Sequence, residues 1–233
     1  SGSAFAKELA VIVGLMGSLP QIVLHVYNKG HSEARAHPVA RAPFHREGEA
    51  VRRDALIAAT AQCLATHGAG GISVRMVAAA AGVSAGLVTH YFGGIDDLIA
   101  ATYHATGDRI GALLDAAVDA AGPAPRARLS AYVEANFRPP ISDPALLATW
   151  AAFWALAGSN PAIAAIRDSV AAATRAQVET LLAACGARET RRAAIGLTGL
   201  IDGLWLERSL DPATCSAEEA GALAERWLDA LIG

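Results

Sequence analysis

The segment that most constrains the fold is residues 72–99, where a short helical pattern is followed by a glycine and then a second short helical pattern. Ser73 is a favourable N-cap, and small or apolar residues follow it at helical spacing. Gly82 stands where the first helix has to end and turn, because glycine adopts positive φ without a steric penalty. Ser84 is then placed to cap a second helix over about 85–91. The pattern predicts a helix-turn-helix.

A helix pair of this kind, crossing at a wide angle over a short glycine turn, places its second helix in the major groove of DNA. The predicted DNA contacts are Arg52, Ser73, Ser84, Ala85, Gly86, Thr89, His90 and Tyr91. An ordinary helical hairpin is the alternative, because the Ala-Gly-Val-Ser sequence within the motif also occurs by chance.

The charge of this region gives DNA binding little support. The whole chain has a formal net charge of −3, and residues 46–104 hold four arginines against five carboxylates, a net charge of −1. Phosphate binding draws on local positive charge, so DNA affinity has to come from placed arginines, hydroxyl groups and backbone N–H groups. A helical interaction protein that keeps the fold without operator binding is the competing interpretation.

Composition and helix breakers predict an all-α chain, with a small N-terminal three-helix head on a larger helical body. Apolar residues make up 53% of the sequence, and no alternating strand pattern competes. Prolines and glycines separate the helical segments. Outside the helix-turn-helix, the predicted helices span 49–67, 94–121, 125–137, 143–157, 161–184, 188–209 and 216–232.

The chain is expected to divide into three parts. Residues 46–95 form the helix-turn-helix domain, residues 96–233 form the helical body, and residues 1–45 are an extension of unknown role. Within the extension, residues 9–27 are strongly apolar, but a proline, a glutamine and a histidine interrupt the run of about 20 apolar residues that a membrane span needs. We therefore expect no membrane partner and a cytoplasmic location.

No motif in the sequence indicates an enzyme. Cys63, Cys185 and Cys215 are widely spaced and lack the paired spacing of a zinc site, so we interpret them as buried thiols in a reducing cytoplasm. The seven histidines are scattered, and there is neither a nucleophile–base pair nor a glycine-rich phosphate loop. The sequence therefore predicts no catalytic residue, no metal site and no cofactor.

The chain resembles the TetR (tetracycline-repressor) family of bacterial transcription factors over roughly residues 46–232. In the head, the residues that carry the resemblance are Ser73, Val74, Val77, Ala78, Ala81, Gly82, Val83, Ser84, Gly86, His90, Tyr91, Phe92 and Leu98. The His90-Tyr91-Phe92 sequence and the Arg52-Arg53 pair, together with segments 150–154 and 201–206, resemble the choline-responsive BetI branch of the family.

The resemblance implies a ligand-regulated repressor that binds an inverted-repeat, double-stranded operator as a homodimer and is released by a small-molecule effector. The last two helices would pair with those of a second copy, and the predicted dimer contacts are Leu197, Ile201, Leu204 and Leu228. Two recognition helices about 34 Å apart on successive major-groove turns also require a dimer. Apolar faces of this kind also serve the core of a single chain, and that alternative stays open.

The head departs from the family at two places. Ile95, followed by Asp96 and Asp97, stands where family members often carry a phosphate-contacting lysine, and Ala79 and Ala80 stand where basic residues are familiar in the branch. These departures imply fewer phosphate contacts and weaker or more sequence-dependent DNA binding.

Aromatic residues are concentrated in the body. The predicted ligand-binding residues are Tyr132, Phe137, Trp150, Phe153, Trp154, Asp202 and Trp205. Ring faces bind quaternary ammonium groups through the ring quadrupole, and a carboxylate from Asp202 or Glu134 would balance the charge. Together with the resemblance to the choline-responsive branch, these residues predict a choline-like cation as effector. Tryptophans at helical spacing also build ordinary cores, and a larger apolar effector would use the same rings as hydrophobic walls.

Overall fold

The structure, a computed structural model, describes the backbone of residues 43–232 and the side chains of residues 48–232. The apolar segment 9–27 and nearly all of the predicted extension lie outside the described residues. The described part is built from α-helices and one 3₁₀ turn and contains no strand, which confirms the all-α prediction. None of its helices is both long and apolar enough to cross a membrane.

The helices follow the sequence prediction closely. They are α1 (Pro43–His67), α2 (Val74–Ala80), α3 (Ala85–Phe92), α4 (Ile95–Ala120), α5 (Pro125–Asn136), α6 (Pro144–Ala157), α7 (Pro161–Ala184), α8 (Thr190–Leu210) and α9 (Ala217–Ile232). The predicted bounds are within two residues of these, except that α1 begins six residues earlier than expected. The 3₁₀ turn Ala69–Gly71 separates α1 from α2.

The turn between α2 and α3 is closed by a Schellman motif, which fixes the geometry of the head. Gly82 has φ +68°, in the left-handed region that glycine adopts without penalty. Its N–H donates to the carbonyl oxygen of Ala79 at 3.2 Å, and the N–H of Val83 donates to that of Ala78 at 2.9 Å. A residue with a Cβ at this position would strain the turn, as the sequence pattern predicted.

The described residues form two hydrophobic cores. The head core lies among α1, α2, α3 and the start of α4, and includes Leu56, Val77, Val88, Phe92 and Leu98. The body core is formed mainly by α4 to α9, and its fully buried residues include Tyr103, Tyr132, Phe153, Leu182, Leu197 and Leu228. Because α4 contributes to both cores, it joins the head to the body.

Three side chains hold the two cores together. Ile72 and Ile95 are half-buried and pack against both. The hydroxyl of Thr149, buried on α6, donates to the carbonyl oxygen of Ala61 on α1 at 3.1 Å. The head is therefore tied to α6 as well as to α4.

Candidate DNA-binding and effector sites

The residues of α3 divide between two faces. Val88 and Phe92 are buried in the head core. The other face carries the predicted DNA contacts: Ser84, Gly86, Thr89 and His90 are exposed, and Ala85 and Tyr91 are partly exposed. The structure thus brings the predicted α3 contacts together on a surface that a groove can reach.

The two serines of the motif have different roles. The hydroxyl of Ser73 accepts a hydrogen bond from the backbone N–H of Met76 at 3.3 Å and so caps α2. Ser84 occupies the N-cap position of α3, but its side chain makes no capping hydrogen bond. Its backbone oxygen instead accepts from the N–H of Leu87 at 3.0 Å. The side-chain cap expected for Ser84 is not formed, so α3 does not use this hydroxyl in its own first turn.

Gly86 has no packing role within the chain. A Cβ at this position would meet only the hydroxyl of Ser84, at 3.9 Å, and its φ is not in the positive region. Glycine inside an exposed helix costs about 1 kcal/mol relative to alanine. The missing side chain leaves the backbone of α3 open to close approach by another molecule.

In the Arg52-Arg53 pair of α1, we expect both side chains to be exposed at the start of the helical pattern, and this expectation is wrong for Arg53, which is partly buried and packs within the head. Its Nη1 donates to the backbone oxygen of Tyr91 at 2.8 Å, and its guanidinium lies 4.3 Å from the ring centroid of Phe92. These contacts tie α1 to the end of α3, where helix carbonyls lack intrahelical partners. Arg52, one position earlier, is exposed and remains available for a phosphate.

The start of α4 is acidic where a phosphate would approach. Asp96 and Asp97 are exposed in its first turn, where they interact favourably with the helix dipole but repel phosphates. The side chain of Ile95 is used to join the two cores. The departure from the family pattern at this position therefore replaces a phosphate contact with packing.

The body contains a cavity of about 430 Å³ bordered by α4, α5, α6, α7 and α8. Tyr132, Trp150 and Trp205 line it, and the rings of the two tryptophans lie 6.1 Å apart at 82°. The indole N–H of Trp205 donates to the backbone oxygen of Asn136 at 3.1 Å, which fixes the orientation of that ring. Two indoles and a phenol therefore meet at one part of the wall.

Three predicted ligand residues do not line this cavity. Phe153 is fully buried and stacks on Tyr103, with 4.3 Å between centroids and 6° between planes. Phe137 is buried, and its ring lies 3.6 Å from where a Cβ on Gly221 of α9 would be. Trp154 is half-buried against the body core. These rings lie behind the wall instead of forming it. The sequence did not distinguish them from the lining residues, because helical spacing is the same for both roles.

The cavity wall is acidic. Asp108, Asp115 and Asp202 line it, and no lysine or arginine is among its described lining residues. Asp202 keeps solvent-accessible surface, yet the surrounding protein reduces the hydration of its carboxylate. This desolvation raises the pKa of Asp202 to about 6, against a smaller opposing effect of Arg175. Glu134, the other predicted carboxylate, instead forms an exposed ion pair with Arg138.

Sequence reasoning missed several lining residues, including Gly107, Gly111, Asp115, Gln177 and Thr198. Gly107 and Gly111 could have been found from the sequence. They stand four residues apart inside a 26-residue helix, where each lowers helix stability, and a glycine at such a position usually has a packing or functional reason.

The predicted dimer contacts lie mostly inside the chain. Leu197 and Leu228 are fully buried, and Ile201 is buried and lines the cavity. Leu204 is half-buried against the body core. The last two helices thus present a different set of apolar residues to the outside than the one expected.

Among the described residues, four of the five exposed large apolar side chains lie on α8 and α9. Their exposed fractions are 46% for Ile195, 40% for Leu206, 72% for Leu210 and 40% for Leu223. On α8 they fall on one helix face together with Gly199 and Gly203. We call these six residues the α8–α9 stripe.

A helix-turn-helix head joined through α4 and α6 to a larger helical body defines a class of protein, the helical DNA-binding regulator, and the cavity in the body is a candidate effector site. Residues 56–102 match the family of bacterial regulatory proteins called tetR, and residues 125–233 match the C-terminal domain of BetI-type transcriptional repressors. The chain belongs to the TetR family, and its body belongs to the BetI type.

Curated relatives agree over most of the chain. The HTH-type transcriptional regulator BetI 2 of Chromohalobacter salexigens is 36% identical over 193 residues, covering 79% of this chain and 90% of the relative. The regulator BetI of Burkholderia thailandensis is 35% identical over 186 residues, covering 78% and 94%.

Solved structures show the same fold. A transcriptional regulator from Pseudomonas aeruginosa is 40% identical, with a TM-score of 0.73, and the match covers 82% of this chain and 95% of that one. A regulator from Saccharomonospora viridis, solved in complex with choline, is 16% identical with a TM-score of 0.70 and coverage of 77% and 96%. At that identity the second likeness concerns the fold alone.

These matches confirm the predicted family and the predicted class of function. The chain is a transcriptional repressor of the BetI type, and its relatives and families are regulators and not enzymes. Regulators of the TetR family bind operator DNA, typically as dimers and with small-molecule effectors. An interaction protein without operator binding is not favoured.

Proposed function

We propose that the chain binds an inverted-repeat operator as a homodimer and that a compact, choline-like cation releases it by binding in the body cavity. The observation that carries this proposal is the cavity wall, where two indoles and a phenol meet three carboxylates and no basic residue among the described lining residues. In this scheme residues 46–95 bind DNA, and residues 96–233 hold the effector and dimer surfaces.

The chemistry of the wall favours a cation. An aromatic face attracts a desolvated cation by about 2 kcal/mol, so two or three rings support micromolar to millimolar affinity. Asp202 places a carboxylate on the same wall as Trp150 and Trp205. The curated relatives named BetI and the choline complex of the Saccharomonospora viridis regulator are consistent with this chemical class.

We assign DNA contact to the exposed face of α3. Ser84, Ala85, Gly86 and Thr89 are placed for the groove, and Arg52, Thr89, His90 and Tyr91 for phosphates; Ser73 is at the start of α2, where its hydroxyl is already used in capping. Because residues 46–104 carry a net charge of −1, each of these contacts carries a large share of the affinity.

We assign dimerisation to the α8–α9 stripe. Its leucines and isoleucine are four of the five large apolar side chains that are exposed among the described residues, and a second copy would remove them from water. Gly199 and Gly203 have no atom within 4 Å of where a Cβ would lie, so they allow close approach of a partner helix.

Release follows from the connection between cavity and head. Trp150 lines the cavity, and the hydroxyl of the preceding residue, Thr149, donates a hydrogen bond to the carbonyl oxygen of Ala61 in the head. An effector that displaces α6 therefore also displaces α1. The effector has to bind the DNA-incompetent arrangement more tightly, because equal affinity for both arrangements would shift nothing.

Replacing Thr89 with alanine is expected to weaken operator binding about tenfold, which is about 1.4 kcal/mol, the scale of one good contact. Thr89 is exposed, so the fold should be unchanged. Tyr91 is half-buried against the head core, so Tyr91→Phe is the variant that removes only its hydroxyl. Mobility-shift titrations at fixed salt measure both. Unchanged affinity in both variants would remove α3 from the interface.

The effector class is tested by calorimetry with choline, betaine aldehyde and the uncharged isostere 3,3-dimethylbutanol. Both cations are expected to bind, and the neutral isostere is expected to bind at least tenfold more weakly because it gains no cation–π or carboxylate attraction. Equal binding of choline and its isostere would show instead that the rings act as plain hydrophobic walls.

A further inference from the structure

The cavity is larger than choline requires. The seven heavy atoms of choline fill no more than about 210 Å³, even if each is given the volume of a liquid water, about 30 Å³. The cavity measures about 430 Å³. About half of it would remain unfilled beside a compact cation.

The unfilled part extends along α4, away from the tryptophans. Near one end Tyr103 of α4 meets the ring of Trp150, with 5.2 Å between centroids. Gly111 follows eight residues later on the same helix, a rise of about 12 Å. Both Gly111 and Asp115, one turn further on, line the cavity. The wall formed by α4 is therefore longer than a trimethylammonium group.

Helix α7 runs alongside α4, and its contacts with α4 show that the cavity extends in the same direction. Val170 is the residue that a Cβ on Gly107 would meet, at 3.6 Å. Seven residues later, Gln177 donates a hydrogen bond to the carboxylate of Asp115 at 2.5 Å. These two contacts lie about 10 Å apart along α7, and the cavity is lined by residues between them.

Gly111 creates space in this part of the wall. No atom lies within 4 Å of where its Cβ would be, whereas Gly107 faces Val170. Because φ at Gly111 is not positive, its backbone does not require glycine. Inside α4 this residue costs helix stability and contributes only empty volume.

We propose that the cavity accommodates an elongated quaternary ammonium ion, with its cationic head at Trp150 and Trp205 and its substituent running past Gly111 toward Asp115. Gly111 is then a specificity-determining residue that sets the permitted length of the substituent. This inference rests on the cationic effector class proposed above and deepens it.

The test is calorimetry of the full chain with alkyltrimethylammonium ions from methyl to hexyl. With the wild type, the dissociation constant is expected to fall roughly threefold to fourfold for each added methylene, the effect of burying one CH₂ group, until the cavity is filled. The Gly111→Leu variant is expected to bind tetramethylammonium within twofold of the wild type but to gain nothing beyond propyl.

Two variants serve as controls. Ala116→Leu adds a leucine to an exposed position of α4 outside the lining and should keep the wild-type dependence on chain length. Gly111→Ala should shorten the permitted chain less than leucine does, and it provides a result if Gly111→Leu does not fold. Thermal unfolding should show Gly111→Ala to be at least as stable as the wild type.

The outcomes separate the two proposals. A wild-type affinity that does not depend on chain length, or an identical dependence in the wild type and Gly111→Leu, would overturn the elongated ligand while leaving the cationic effector in place. Failure of every cation in the series to bind the wild type would overturn the cationic effector itself, and the present inference with it.

Discussion

A Leu206→Asp, Leu210→Asp variant is expected to be monomeric and to lose operator affinity by roughly 100-fold or more. Both leucines are exposed on the α8–α9 stripe, at 40% and 72%, so the aspartates would be hydrated in the separate chain and its fold should persist. In a dimer the same carboxylates would be buried without partners, at a cost of several kcal/mol. A monomer then offers one head to an operator that needs two.

Sedimentation velocity measures the change in mass, and circular dichroism confirms that the variant is folded. Ala127→Asp, at an exposed position of α5, adds an aspartate away from the stripe and should leave the dimer intact. Leu228→Asp is unsuitable, because Leu228 is fully buried and the change would unfold the chain. A folded double variant that still sedimented as a dimer would place the interface on another surface.

Replacing Asp202 with asparagine is expected to weaken choline binding about tenfold to 30-fold at pH 7.5 and to leave the neutral isostere unaffected. The change keeps the shape of the side chain and removes its charge, so the loss reports the attraction between carboxylate and cation in a partly desolvated wall. The matched control Asp168→Asn makes the same change at an exposed position of α7 outside the cavity lining.

The same substitution should stabilise the chain in the absence of ligand. Because desolvation raises the pKa of Asp202 from its ordinary value of 3.8 to about 6, the folded chain binds more protons at this group than the unfolded chain between these pH values. The contribution of Asp202 therefore makes folding more favourable as pH falls from 7 toward 4. Asp202→Asn should unfold at higher denaturant concentration at pH 7.5 and show a smaller gain on acidification. An unaltered midpoint would argue that this carboxylate is fully hydrated.

The fold could be predicted from the sequence because the residues that determine where helices begin and end act locally. Glycine at Gly82 and the proline and glycine breaks determine where helices end, and helical spacing determines where they continue. The exposed face of α3 followed in the same way, since Val88 and Phe92 are the residues that pack inward. Local rules of this kind need no knowledge of which helix becomes the neighbour.

The effector and dimerisation sites were predicted less accurately, because their residues depend on which helices become neighbours. Leu197 and Leu210 are equally apolar in the sequence, yet one is buried in the body core and the other is exposed. Likewise, Trp150 lines the cavity while Phe153, three residues later, supports it from behind. An apolar pattern predicts that a helix face is covered, but it does not predict which residues cover it. The empty space beside Gly111 corresponds to no side-chain pattern in the sequence.

Footprinting of the DNA upstream of the gene for this chain, with and without a quaternary ammonium ion, tests the central claim most directly. We expect protection of an inverted repeat whose half-sites are read by two α3 helices about 34 Å apart, and loss of that protection when choline or a longer alkyltrimethylammonium ion is added. Protection that is independent of sequence, or that no cation in the series relieves, would contradict a cation-released, dimeric repressor.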